Sequence, residues 1–122
     1  MLFRSTIAGS GTVWLIPGVS GFLSSLNGTT IPMPCTVKNL YVRLNGTQPA
    51  GGSIVATLQK AATDTDLAVT IPSGSVAGGY SDSTHSITFT GGETLGIKIK
   101  NNSGSPSAPI TSAAVELQPA TV

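Results

Sequence analysis

His85 is the only histidine in the chain, and Asp82 stands three residues before it in "YSDSTHSI". An imidazole beside a carboxylate can begin general-base or metal-ligand chemistry, because the carboxylate orients the ring. Either role needs further oriented partners, and the sequence offers no second histidine and no nearby pair of acids. The segment therefore reads as a turn or strand edge. "TDTD" places Asp64 and Asp66 two residues apart with threonine hydroxyls beside them. That spacing can open a calcium loop, which would need several more oxygens and a later bidentate acid. An Asp-rich hairpin turn is the expected reading. Cys35 follows Pro34 in a stretch with strand character and reads as a small buried hydrophobe. "GSG" at 9–11 and "SGS" at 73–75 lack the strand–Ser–helix setting of a nucleophile elbow. The glycine pairs do not precede helices, so a phosphate cradle is not expected. With only 5 acids, scattered over different turns, the expectation is a protein that is not an enzyme, with no catalytic residue, no metal and no cofactor.

The bulk composition agrees with a chain that works through its surface. Its 122 residues suit one domain. Charged residues make up 9% of the chain, against roughly 25% in an ordinary soluble protein. The net charge of +1 gives no footprint for nucleic acid. The 15 glycines, 8 prolines and many serines and threonines make a polar, weakly charged surface that can lie against partners. One cysteine excludes an internal disulfide and a cysteine-based zinc site. No apolar run approaches the ~18 residues needed to span a bilayer, so no membrane partner is expected. Glycine, serine and proline interrupt the apolar N-terminus, which reads as mature protein rather than a signal peptide.

Helical spacing is absent, and period-two alternation runs through most of the chain. Leu40, Val42 and Leu44 share one strand face, with Tyr41 and Arg43 on the other. The same pattern gives inward Ile54, Ala56 and Leu58 with outward Val55, Thr57 and Gln59. It gives Leu67, Val69 and Ile71; Ile87 and Phe89; Leu95, Ile97 and Ile99; and Ala113, Val115 and Leu117. "VWLI" and "GFLSSL" read as short strands, and "TIPMPCTVKN" as an extended edge segment because two prolines forbid a continuous ladder. "TGGE" at 90–93 reads as a tight hairpin. Asn27, Asn45 and Asn101 match the glycosylation pattern, but the two "NGT" sites contain the turn dipeptide Asn-Gly, and a turn role is the expected reading. The expected fold is all-β: an antiparallel two-sheet β-sandwich of about eight strands, with jelly-roll topology preferred because the immunoglobulin Cys…Trp…Cys signature is missing. The expected layout is an N-terminal arm or first strand over 1–12 and a single jelly-roll domain over 13–122.

The order of segments resembles a known group. "TIPMP" leads to "VKNLYVRLN", then "SIVATLQK", "TDLAVTIPSGS" and "YSDSTHSITFTGGETLGIKIKNNS", closing on "VEL". This is similar to the small jelly-roll domains of tailed-bacteriophage virions, which serve as head decoration, head-fibre or tail-fibre modules. The related tumour-necrosis-factor-like domains pack three to a trimer, so the resemblance implies a homotrimer here. It carries over no catalytic residue.

The resulting expectation is a structural virion protein, a trimeric capsid decoration or cement protein that stabilises the phage head. Its partners would be copies of itself and the major capsid protein or another virion protein. The alternative is a fibre or spike subunit that binds a host receptor or glycan. Candidate interface residues are Leu2, Phe3 and Arg4 in the N-terminal segment, Trp14, the outward pair Tyr41 and Arg43, and Tyr80, placed in a long loop.

Overall fold

Alternating apolar and small polar residues, punctuated by glycine and proline, can bury their apolar half only as strands with one face inward. The computed structural model describes residues 2–4, 7–8, 11–15, 29–47, 51–102, 107–108 and 110–120, with side chains over 29–47, 51–102 and 112–120. The strands in chain order are β1 (Leu2–Arg4), β2 (Ile7–Ala8), β3 (Gly11–Leu15), β4 (Thr29–Thr30), β5 (Cys35–Leu44), β6 (Ile54–Lys60), β7 (Thr63–Ile71), β8 (Gly78–Phe89), β9 (Thr94–Asn101), β10 (Ser107–Ala108) and β11 (Ile110–Pro119). The expected "GFLSSL" strand lies outside the described residues.

One sheet runs β1-β11-β5-β8; the other runs β3-β9-β6-β7, with β4 also paired to β9, and β10 pairs with β2. Every pairing is antiparallel. The protein is thus the all-β two-sheet sandwich expected from its alternation. Setting aside the two-residue strands, each successive strand changes sheet except at the β6–β7 hairpin. The core lies between the sheets. Val37, Leu40, Val42, Leu44, Phe89 and Ala113 come from one side, and Ile54, Leu58, Leu67, Ile71, Leu95, Ile97 and Ile99 from the other, all fully buried.

Three local readings are corrected. The "TGGE" segment is not a hairpin, because β8 and β9 belong to different sheets and it forms the corner between them. Gly91 and Gly92 hold φ of 105° and 89° there, a region closed to most side chains. Glu93 accepts the amides of Thr90 and Gly91, both at 2.8 Å, while Gly92 N–H donates to Ile31 at 2.7 Å. Those contacts tie the corner to the chain entering β5, where a free hairpin would have paired its own strands. The "TIPMPCTVKN" segment is an edge only up to Pro34, since Cys35 begins β5, an interior strand between β11 and β8. Both prolines fall before the ladder, so they cost it no donor. The acids of "TDTD" do not form the turn. Ala61 and Ala62 do, and Asp64 and Asp66 lie in β7.

Candidate functional site

The strongest polar cluster grows from a register defect. Lys38 pairs with Ser86 and Leu40 with Asp82, so β8 carries two extra residues opposite Asn39, which itself has φ of 54°. This bulge shifts the inward set of β5 from Cys35 and Val37 to Leu40, Val42 and Leu44. Ser83, Thr84 and His85 stand out of the ladder and Asp82 turns in, with only 8% of its surface exposed. Its carboxylate accepts the Thr84 amide and hydroxyl, each at 2.9 Å, and His85 Nδ1 at 2.7 Å. It also accepts the backbone N–H of Ala68, on β7 of the opposite sheet, at 3.2 Å. Burial pushes the Asp82 carboxyl up, but the Thr84 amide, His85, the Thr84 hydroxyl and the Ala68 amide outweigh it and hold the group far below the usual carboxylate range. The bonds of this carboxylate go to the fold. Of the two expected readings, turn or strand edge, the segment is the strand edge, and it makes a clasp between the two edge strands β8 and β7.

A second polar cluster covers the outer face of β6. Asp64 accepts Gln59 Nε2 at 2.7 Å and pairs with Lys98. The hydrogen bonds from Lys98 and Gln59 lower its carboxyl against a smaller opposing effect of burial. Thr57 and Gln59, expected to face away from the core, are consequently buried at 8% and 6% exposure. β7 bulges here too: the Thr65 hydroxyl donates to the Leu58 carbonyl at 2.8 Å. Asp66 is exposed. Among the described residues no group of three or more His, Cys, Asp or Glu side chains could hold a metal ion.

Lys60 closes one end of the core. Its ammonium donates to the Thr88 carbonyl at 2.6 Å, pairs with Glu93 at 3.1 Å and lies 5.6 Å from the centre of the Phe89 ring. Nearby, an apolar cavity of about 220 Å³ opens between the 30–35 segment and the end of β11. Ile31, Met33, Pro34, Cys35, Leu117 and Pro119 line it. Cys35 is buried, as expected of a small hydrophobe, and burial first, then the Glu93 charge, raise its thiol above the usual range. A neutral thiol is a poor nucleophile. The cavity left no mark in the sequence beyond the Pro-Met-Pro run.

The candidate interface residues fall into three places. Tyr41 and Arg43 share the outer face of β5, and Tyr41 is 41% exposed. Leu2 is in register with Ala114, which pairs with Tyr41; Arg4 is in register with Ser112, which pairs with Arg43. Phe3 pairs with Ala113. Trp14 lies in the other sheet, in register with Lys98. Tyr80 is not in a loop. It belongs to β8, opposite Val42, packs against the core and donates its hydroxyl to the Val76 carbonyl at 2.7 Å. The period-two rule identifies the reason, since Tyr80 and Asp82 are inward positions of one strand. The Tyr41 ring lies over Gly79 on the neighbouring strand, where a Cβ would overlap its phenol end.

The chain matches no family model, no curated protein and no solved structure.

Proposed function

We propose that this chain is a non-enzymatic virion surface protein, a homotrimeric capsid decoration protein that binds and stabilises a phage head. Its strand order, with eight main strands alternating between two sheets, supports a jelly-roll reading. The observation that carries the proposal is the outer face of the β1-β11-β5-β8 sheet. Tyr41 is laid flat over Gly79 there, with Ala114, Ser112 and Ser81 as small neighbours. An aromatic anchor among small residues, with Arg43 beside it on the same face, suits a self-association surface, where Tyr and Arg are enriched. A threefold contact burying more than ~1,000 Å² per interface would hold such a domain in a stable assembly. The acids near that face contribute to the fold: Glu116 accepts Asn39 Nδ2 at 2.6 Å and sits 4.0 Å from Lys38.

Sedimentation equilibrium tests the assembly step. Three times the 12.2 kDa chain mass is expected for the wild type, and 12.2 kDa for Tyr41→Glu with an unchanged circular dichroism spectrum. A wild type that stays at one chain mass at every concentration contradicts the proposal. Binding to a glycan array with no binding to empty heads would instead favour the fibre or spike subunit.

A further inference from the structure

Asn39, Asn45, Asn101 and Asn102 lie among the described residues, and the fold treats them differently. Asn39 donates its side-chain amide to Glu116 at 2.6 Å and is followed by Leu40, which is fully buried. Asn101 closes β9 with 5% of its surface exposed and is followed by another asparagine. Asn102 donates its backbone N–H to the Ser53 carbonyl at 2.9 Å and is followed by Ser103. Asn45 is exposed and is followed by Gly46.

The backbone around Asn45 leaves room for chemistry. Leu44 is the last residue of β5 in register with its neighbours, Ile110 on one side and Gly78 on the other. Asn45 and Gly46 therefore lie past the ladder. Among the described residues the positive φ values fall elsewhere, so this pair is not fixed in the two-residue hairpin turn that Asn-Gly favours, which needs positive φ at both residues. The residue after Asn45 also has no Cβ. Its amide nitrogen can approach the Asn45 side chain without the obstruction that Leu40 sets beside Asn39.

We propose that Asn45 is a self-modification site, converted by the backbone of Gly46 to a mixture of aspartate and isoaspartate. The Gly46 nitrogen gives up its proton and attacks Cγ of Asn45. The N–Cγ bond forms, the Cγ–Nδ2 bond breaks, and the amide leaves as ammonia with that proton, closing a five-membered succinimide. Water then adds to either carbonyl of the ring. Opening at one restores the backbone with an aspartate; opening at the other carries the backbone through the side chain as isoaspartate. Nothing is oxidised or reduced, and water is the only co-reactant.

The product changes the protein's charge where it is visible. Exposed and buried residues alternate from Tyr41 through Val42, Arg43 and Leu44 to Asn45, so the new carboxylate joins the face that carries Tyr41 and Arg43. With six bases and five acids in the chain, one more acid takes the formal net charge from +1 to zero. A protein at zero net charge associates and precipitates more readily. The conversion does not depend on the proposed trimer, and either can fail without the other.

The test is to hold the purified full chain in warm, mildly alkaline buffer, folded and in urea, and to map its peptides by mass over time. The Asn45 peptide of the folded protein is expected to gain the mass of an amide turned acid and to split into two chromatographic forms, aspartate and isoaspartate. Asn39, Asn101 and Asn102 should stay unchanged over the same period, and Asn27, which also precedes a glycine, is read separately in its own peptide. Gly46→Ala should slow the conversion by about an order of magnitude, because its Cβ obstructs the attack. An Asn45 that stays an amide in the folded protein while the unfolded chain converts overturns the proposal. So does a Gly46→Ala protein that converts as fast as the wild type.

Discussion

The Asp82 carboxylate on β8 accepts the backbone N–H of Ala68 on β7, 3.2 Å away in the opposite sheet. Both strands are sheet edges, and both are bulged at this level. Open edges invite pairing with other chains. Here the two edges are turned toward each other and joined by one buried charge that also holds the bulge closed.

Removing that charge should loosen both sheets at once. Asp82→Ala leaves the Ala68, Thr84 and His85 amides without their acceptor, and we expect a loss of about 2–4 kcal/mol. Asp82→Asn keeps the shape but sets an NH₂ against N–H donors, so it should recover only part of the loss. Urea titration measures the loss, and faster amide exchange at Ala68 should accompany it.

The same carboxylate gives an acid limb to stability. Its folded pKa lies below the unfolded value near ~4, so its contribution is complete at neutral pH. That contribution declines as pH falls through ~4 and keeps falling until the folded carboxyl itself protonates. Asp64 and Glu93 shift in the same direction, Glu93 because bonds from Lys60, Thr90 and Gly91 outweigh its burial. Thermal midpoints should therefore be flat above about pH 5 and drop below pH ~4. The drop should be shallower in Asp82→Asn.

The β6–β7 turn is strained. Ala61 and Ala62 hold φ of 49° and 67°, the sign that a two-residue hairpin demands and alanine resists. Ala61→Asn with Ala62→Gly supplies the preferred pair. The Ala61 amide bond to Thr94, 2.9 Å long, needs no side chain and is retained. We expect a gain of about 1–2 kcal/mol in denaturant titration.

Gly79 exists for Tyr41. A methyl group at Gly79 would displace the phenol end of the ring, which can swing away, so Gly79→Ala should cost less than about 1 kcal/mol. In a Tyr41→Ala background the same change should be neutral or favourable, since alanine suits a strand better than glycine. The double-mutant cycle measures the coupling. The proposed trimer should weaken in Gly79→Ala even where folding does not.

Much of the sandwich was legible because period-two alternation is a local signal: Leu40, Val42 and Leu44, or Leu95, Ile97 and Ile99, need only their own strand to declare a face. What escaped was decided across strands. Asn39 shifts the alternation of β5 by one residue through a bulge whose partner lies some 45 positions away in β8. That separation hid the continuity of Cys35 and Val37 with the interior strand that carries Leu40, Val42 and Leu44. The Gly-Gly pair at 91–92 looks like any hairpin turn. Only the sheet assignment of β8 and β9 makes it a corner. His85 and Asp82 were visible as a pair, but the Ala68 amide that makes them a clasp carries no side-chain signature. Tyr80 was misplaced because glycines 78 and 79 look like loop, although they already belong to β8.

The most direct test of the proposed role is electron microscopy of phage heads stripped of this protein and then incubated with it. Added density at the local threefold points of the shell, three chains to each, is the expected result, with Tyr41→Glu leaving those points bare. Heads that gain no density at saturating protein, or that gain it only as single chains at unrelated positions, would contradict the account.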